Sequence, residues 1–348
     1  MRSTYQIVRP PRLKKGDGIG VFTPSSPLYT GPFLEKFQHG VSILKNTGFN
    51  VQLGSITGSK KSEGYRSAGS QERADEFMNL YRDPKIQALI STVGGYNTSS
   101  FIDLLDFDYI RKNPKIVMGY SDMTSLHCAL FTQAGLSSFY GPAVFPSFGE
   151  WPEPPSETME SFLDAVVRPW QGPRELARPQ RWSRHYRNAI NGDWKNIPRN
   201  WNEGEGWNIL RPGTVEGPLF ALNLNTLLTH AGTTTFPNFE GAILIVEDES
   251  APLGDTERGF VHLKRLGVFE KIKALGWGRI EHPDEKSTPE SYNSILKEFV
   301  PSHIPLFTDC DICHTVPMLT VGLGVNARLE AIAGEKAKIT ILEPMVTG

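Results

Sequence analysis

The stretch Ile116-Val117-Met118-Gly119-Tyr120-Ser121-Asp122-Met123-Thr124 places a serine where an apolar run gives way to a polar turn and then to a helical pattern. On a tight strand-to-helix turn a serine hydroxyl stands at the carboxyl edge of a sheet, the geometry of a nucleophile elbow. The G-x-S-x-G pattern is incomplete, since Met123 replaces the second glycine, and a serine at this point also serves simply as the N-cap of the following helix. A second turn, Ser91-Thr92-Val93-Gly94-Gly95-Tyr96-Asn97, follows another apolar run and is expected at the same edge. Its glycines let backbone N–H groups approach a ligand, so the Gly94-Gly95 turn and the amide of Asp122 are candidates for an oxyanion hole. A Gly-Gly pair chosen for its backbone angles alone would look the same.

A serine nucleophile needs a base to accept its proton and usually a carboxylate to orient that base. Of the eight histidines, His39 and His127 fall inside helical patterns and read as packed or surface residues, while His185, His230, His262, His282 and His303 lack informative neighbours. His314 differs: it lies in Asp311-Ile312-Cys313-His314-Thr315-Val316-Pro317, a turn after a short strand-like stretch, from which an imidazole can enter a cleft. For the carboxylate, Glu247 ends the apolar run 243–246, with Asp248 and Glu249 beside it, although a carboxylate at a strand end is commonly a solvated loop charge.

Two other patterns carry less. Cys310-Asp311-Ile312-Cys313-His314 has the C-x-x-C-H spacing of c-type haem attachment, and its C-x-x-C part resembles a redox dithiol or half a zinc site. Haem attachment normally accompanies export, and a zinc site needs a second ligand pair; Cys128, in a helical pattern, reads as a buried residue. Gly18-Ile19-Gly20 precedes a strand instead of opening a helix, so it does not make a dinucleotide fingerprint. No metal and no cofactor are expected.

The elements that must position these residues alternate. Strands are expected at 19–23, 49–53, 86–92 and 115–119, helices at 33–45 and 122–133, and a helical face at Ala74, Phe77, Met78 and Tyr81, stopped by Asp83-Pro84. Such alternation implies βαβ units on a parallel sheet, whose ligands sit beyond the carboxyl ends of the strands. Between 141 and 213 prolines accumulate, six of the seven tryptophans occur and periodicity is lost, so this segment reads as a connector with a long loop. From 217 onward a second unit appears, with helices at 222–230 and 255–266 and strands at 242–246, 304–307 and 337–342. The expected domains are 1–150, bearing the nucleophile; 151–213, the Trp-rich connector; and 214–348, bearing the acid and the base.

Composition sets the outer limits. The 348 residues suffice for about two domains. Lys+Arg 36 against Asp+Glu 38 leaves a net charge of -2, which excludes a general nucleic-acid polymer binder. With 39% hydrophobic and 21% charged residues the chain is not extensively disordered. Three cysteines form no closed disulfide framework and fit a reducing compartment. Residues 1–15 carry Arg2, Arg9, Arg12, Lys14 and Lys15 without an apolar h-region, and no apolar run approaches membrane-spanning length. A cytoplasmic location without membrane association is expected.

Taken together and in order, several segments resemble one family, the serine peptidases that include the cytoplasmic LD-carboxypeptidases and the microcin C self-immunity peptidases. The resemblance runs from Leu13-Lys14-Lys15-Gly16-Asp17 and Thr23-Pro24-Ser25-Ser26-Pro27 through Val93-Gly94-Gly95-Tyr96-Asn97, Asn113-Pro114-Lys115-Ile116, Gly119-Tyr120-Ser121-Asp122, Asn223-Leu224-Asn225-Thr226-Leu227 and Glu247-Asp248 to His314-Thr315. It implies Ser121 as nucleophile, His314 as general base, Glu247 as the acid that orients it, and an oxyanion hole of the Asp122 amide and the Gly94-Gly95 turn. It also implies an α/β fold, a Rossmann-like N-terminal domain joined to a smaller swivelling β/β/α domain, and commonly a homodimer.

Tyr96, Asn97, Asn223 and the Trp-bearing loop are similar to the microcin C immunity branch, where a loop tryptophan stacks on a nucleobase. Trp207 falls at the corresponding place, and stacking of that kind is worth about 1 to 3 kcal/mol. An indole packed as a loop anchor is the alternative. The chain departs from the family at Cys313, where glycine is frequent, at Val316, where relatives carry a polar residue, and at Ala221-Leu222, where Gly-Gly precedes the asparagine. The expected activity is hydrolysis of a C-terminal amide through an acyl-enzyme, on a peptidyl or aminoacyl nucleotide. A murein tetrapeptide losing its terminal D-alanine is the alternative substrate, and a two-domain protein that clamps its ligand without turnover is the alternative function.

Overall fold

The computed structural model describes residues 7–28 and 31–348; Arg2 of the N-terminal basic stretch lies outside them. The first sheet has six strands in the order Val321–Gly322, Phe139–Tyr140, Ile116–Gly119, Ile86–Ser91, Gly18–Phe22, Asn50–Leu53. All its pairings are parallel except that of the edge strand Val321–Gly322, which comes from the far end of the chain and runs antiparallel to Phe139–Tyr140. The strands 86–91 and 116–119, apolar apart from Gln87 and the terminal Ser91, lack a polar alternation because helices cover both faces of a parallel sheet. Helix Ser70–Arg82 lays Ala74, Phe77, Met78 and Tyr81 on Leu89 and Val117, and each such buried side chain contributes about 1.5 to 3 kcal/mol.

The second sheet has eight strands, in the order Arg174–Glu175, Lys338–Ile341, Val325–Ala331, Gly213–Asn223, Ile243–Glu247, Ala274–Gly278, Leu306–Cys310, Asn208–Arg211. Its four central strands, 213–223, 243–247, 274–278 and 306–310, are parallel to one another, and antiparallel strands flank them on both sides. The protein is thus mixed α/β, with a largely parallel N-terminal sheet and a separate C-terminal unit. One apolar cluster runs through both, joining Ile19, Val21 and Phe37 to Leu222, Ile245 and Val321.

Several expectations change. Leu222 and Asn223 end a strand, Gly213–Asn223, and the helix that follows is Leu224–Leu228. The expected helix at 122–133 is a 3-10 turn, an α segment Thr124–Ala129 and a π turn Leu130–Ala134. The segment 141–213 holds helix Ser156–Val166 and provides both edge strands of the second sheet, Arg174–Glu175 and Asn208–Arg211. Among the described residues no helix is long and apolar enough to cross a membrane.

Candidate active site

Every residue of interest follows the carboxyl end of a parallel strand. Ser121 comes two residues after strand 116–119, the Gly94-Gly95 turn follows 86–91, and Ser25 and Ser26 follow 18–22. From the second sheet, Asn223 and Glu247 end adjacent parallel strands in register with each other, Glu281 follows 274–278, and His314 follows 306–310. The carboxyl edges of the two sheets therefore enclose one cavity of about 520 Å³, lined by Gly94, Gly95, Tyr96, Ser121, Asn223 and His314 among others.

Ser121 holds φ 63, a left-handed conformation that costs a non-glycine residue on the order of 1 to 2 kcal/mol. The turn is pinned from both sides. The Ser121 N–H donates to the Tyr140 hydroxyl at 3.1 Å, and the buried His127 ring holds the Gly119 carbonyl through Nε2 at 2.9 Å and Ser138 Oγ through Nδ1 at 2.8 Å. Burial lowers the His127 pKa to about 4, so the ring is neutral and donates to that carbonyl. His127 is thus packed, as expected, and has a positioning task that sequence does not display.

The candidate base and its candidate acid meet directly. His314 Nδ1 lies 2.6 Å from Glu247 Oε2, with both side chains almost fully buried. Burial by itself lowers the histidine pKa, but the Glu247 carboxylate, assisted by Glu249 and Glu281, outweighs it and lifts the value to about 9. Glu247 Oε1 accepts from the Tyr140 hydroxyl and, at 3.3 Å, from Asn223 Nδ2, which also donates to Asp248 Oδ1 at 3.1 Å. Burial, reinforced by the neighbouring Glu247 charge, pushes Asp248 up to about 7. The Tyr120 ring stands edge-on to the His314 ring at 4.9 Å, so the residue before Ser121 touches His314 across the seam. Among the described residues no hydrogen bond joins Ser121 Oγ to His314 Nε2; the two groups share the cavity.

Gly94 explains why the turn opposite must be glycine. A Cβ there would stand 3.0 Å from Ser121 Cβ, 3.1 Å from its Oγ and 3.4 Å from the Asp122 nitrogen. Its absence leaves room beside both the hydroxyl and that amide. Gly95 has φ 147, and a Cβ on it would strike the hydroxyls of Ser25 and Ser26. Ser25 Oγ accepts the N–H groups of Tyr96 and Asn97, which fixes the turn. The Asp122 side chain points away, its Oδ2 accepting the N–H and hydroxyl of Thr98.

Two expectations fail. Trp207 does not present a face to the cavity: it is fully buried, stacked on Phe307 at 5.9 Å, and its Nε1 donates to Asp311 at 2.9 Å. The indole is an anchor beneath the loop that carries His314. Asn97 also misses the cavity; its Oδ1 accepts from Ser25 Oγ at 3.1 Å and its carbonyl from Arg73 at 2.8 Å. Segment 141–213 does place other aromatic side chains at the cavity, among them Phe145 and Tyr186, the latter more than half exposed, beside His185. Trp207→Phe removes the donor to a buried carboxylate and is expected to destabilise the protein by about 1 to 3 kcal/mol, read as a lowered Tm, with KM unchanged.

The remaining ionisable groups complete the picture. Burial and repulsion from Glu249, opposed by His314, raise Glu281 to about 7 at the cavity wall. Glu249, Glu281 and His282 bring ligand atoms within 4.8 Å of one another, a grouping able to hold a cation, although Glu249 and His282 are exposed. Cys310 and Cys313 are buried free thiols, their pKa values pushed up by burial, and Cys313 Sγ lies 3.1 Å from Thr315 Oγ1.

Both parts of the chain match known proteins. Residues 19–141 match the LD-carboxypeptidase N-terminal domain and residues 216–329 the LD-carboxypeptidase C-terminal domain. The chain is 37% identical over 333 residues to the microcin C7 self-immunity protein MccF of Escherichia coli, covering 91% of this chain and 92% of that protein. It is 35% identical over 328 residues to a putative carboxypeptidase of Vibrio cholerae, covering 91% and 93%. The structure of MccF in complex with aspartyl sulfamoyl adenosine superposes with a TM-score of 0.88 at 35% identity, over 98% of this chain and 100% of that one. With both of its domains matched, in order and around one shared cavity, the chain belongs to the LD-carboxypeptidase family of peptidases.

Proposed function

We propose that the protein is a serine carboxypeptidase or amidase that cleaves a C-terminal amide of a peptidyl or aminoacyl nucleotide through an acyl-enzyme. The observation that carries this reading is the buried His314–Glu247 pair, 2.6 Å apart, in the cavity that also holds a serine in a strained conformation. In this mechanism Ser121 Oγ attacks the amide carbonyl carbon as His314 Nε2 takes its proton. Glu247 holds Nδ1–H, fixes the tautomer and stabilises the imidazolium. The carbonyl oxygen, now negative, occupies the space beside Gly94 and accepts from the Asp122 amide and the Gly94-Gly95 turn. Collapse breaks the C–N bond, His314 delivers its proton to the departing nitrogen, and water repeats the sequence on the ester to release the acid.

Nucleotide preference is supported by the solved relative that binds an aminoacyl sulfamoyl nucleoside and by Tyr186, whose exposed ring offers a stacking face in place of Trp207. Asn223 and Tyr96, at opposite edges of the cavity, are the proposed substrate contacts. The lobes 1–150 and 214–348, bridged by 151–213, then supply nucleophile and acid–base pair respectively, and a homodimer is the proposed assembly.

The test offers the purified chain an aminoacyl phosphoramidate of adenosine and a murein tetrapeptide, following release of the amino acid or of D-alanine. Turnover of the nucleotide, with a serine-directed phosphonate adding to Ser121, is the expected outcome. Turnover of the tetrapeptide alone reassigns the substrate. Inactivity on both with Ser121 unlabelled refutes the hydrolase and leaves a ligand-clamping protein.

A further inference from the structure

At the cavity wall contributed by the first lobe and the connector, one carboxylate faces three cations. Glu150, buried, is forked by Arg199, whose Nε and Nη2 reach Oε1 and Oε2 at 2.9 Å each, and is also bonded by Arg187 Nη2. Lys36, on helix Pro32–Asn46, is only 7% exposed and lines the same cavity as Ser121 and His314. Its ammonium stands over the Phe145 ring, 4.9 Å from the centroid, with neither a hydrogen bond nor an ion pair to any described residue. Burial lowers the Lys36 pKa to about 8, a shift that Glu150 opposes, so the group still carries charge at neutral pH. Glu281, pushed up to about 7, is the remaining acidic group near this wall.

A buried ammonium without a partner is costly, by several kcal/mol in a dry setting, unless an anion meets it. Here Glu150 is already taken by the Arg199 fork and the Arg187 bond, and neither it nor Glu281 bonds the ammonium. Three cations against Glu150 leave positive charge uncompensated on the wall, and a wall of one sign recruits the opposite sign.

We propose that Lys36, backed by the Arg187–Glu150–Arg199 cluster, forms an anion-recognising subsite of this cavity that takes a carboxylate or phosphate carried by the substrate. This rests on reading the cavity as the substrate site, and it narrows the substrate to one with an anionic group at that wall. The cation–π contact with Phe145 keeps the ammonium in place when the subsite is empty.

Calorimetric titration of the full chain carrying Ser121→Ala, so that no probe is turned over, tests it. Two probe pairs differ only in the anion: AMP against adenosine, and the dipeptide Ala-D-Ala against its C-terminal amide. With Lys36 intact the anionic member of one pair is expected to bind at least about tenfold tighter. That preference disappears in Lys36→Met, nearly isosteric and suited to an apolar pocket, and survives in Lys36→Arg. Dependence in the AMP pair assigns the subsite to phosphate, and dependence in the dipeptide pair assigns it to carboxylate. A measurement free of mutation accompanies these: mild acetylation of the wild type, mapped by mass spectrometry, should modify Lys36 more slowly when the bound anion is present. Absence of charge preference in both pairs, a preference unchanged by Lys36→Met, or equal acetylation with and without anion overturns the subsite. None of these outcomes bears on hydrolysis, which phosphonate labelling of Ser121 reads separately.

Discussion

Replacing Ser121 by glycine is expected to abolish turnover and, at the same time, to leave the protein slightly more stable. In the proposed mechanism the hydroxyl carries the chemistry, and removal of a triad nucleophile costs a factor on the order of 10⁴ to 10⁶ in kcat. The backbone at 121 sits at φ 63, which glycine adopts freely and serine does not. Relief of about 1 to 2 kcal/mol of strain is offset by roughly 0.4 to 1 kcal/mol of extra unfolded-state entropy, so a gain of about 0.5 to 1 kcal/mol and a rise of about 1 to 3 °C in Tm follow. Ser121→Ala is the control: activity falls equally, but the Cβ and its strain remain, and Tm stays at the wild-type value. Turnover within a hundredfold of the wild type in either variant removes Ser121 as the nucleophile. A lowered Tm in the glycine variant refutes the account of the strained turn.

The second large effect concerns the acid that grips the base. Glu247→Gln keeps the volume and a hydrogen-bonding oxygen but loses the charge, and it is expected to lower kcat by roughly 10⁴, because the imidazole is no longer held in the productive tautomer. The pH profile supplies the independent signature. A base must be neutral to accept a proton, and Glu247 lifts His314 to about 9, so kcat/KM should climb with pH and level off near that value. In Glu247→Gln the rising limb moves down toward the usual histidine range. Stability runs the other way. A histidine whose folded pKa exceeds its unfolded value of about 6.5 stabilises the fold fully below that value, and the contribution is lost as pH rises through about 9. The wild type is therefore expected to trade stability for activity across that window, while the variant shows neither trend. Coincident limbs in the two proteins would refute Glu247 as the partner that tunes the base.

Much of the N-terminal sheet is legible in sequence because its strands are buried on both faces. Residues 86–91 and 116–119 read as largely apolar runs, and the Asp83-Pro84 stop agrees with a helix that ends at Arg82. The elbow is legible for the same reason: a polar turn after a buried strand has few places to go except the sheet edge. Ala274–Gly278 is not legible, since Ala-Leu-Gly-Trp-Gly lacks the β-branched residues that mark strands. Its glycines are required by packing instead, as a Cβ on Gly276 would meet the Phe307 ring and one on Gly278 the Glu247 and Cys313 side chains. Trp207 misleads because a tryptophan in a loop has the same local sequence whether its ring faces a ligand or Asp311. Tyr140, which receives the Ser121 amide and binds Glu247, carries no local mark at all, since its task exists only once the two sheets meet.

That division of parts between two sheets matters before the protein is finished. The hydroxyl is made early and its imidazole roughly 200 residues afterwards, an interval of about 10 to 40 s at ordinary rates of synthesis. A nascent chain holding only the first lobe has Ser121 but neither Glu247 nor His314, so under the proposed mechanism it is expected to be inert toward amides. On that mechanism the seam is a built-in delay, arming the proposed hydrolase only when the last lobe closes on the first.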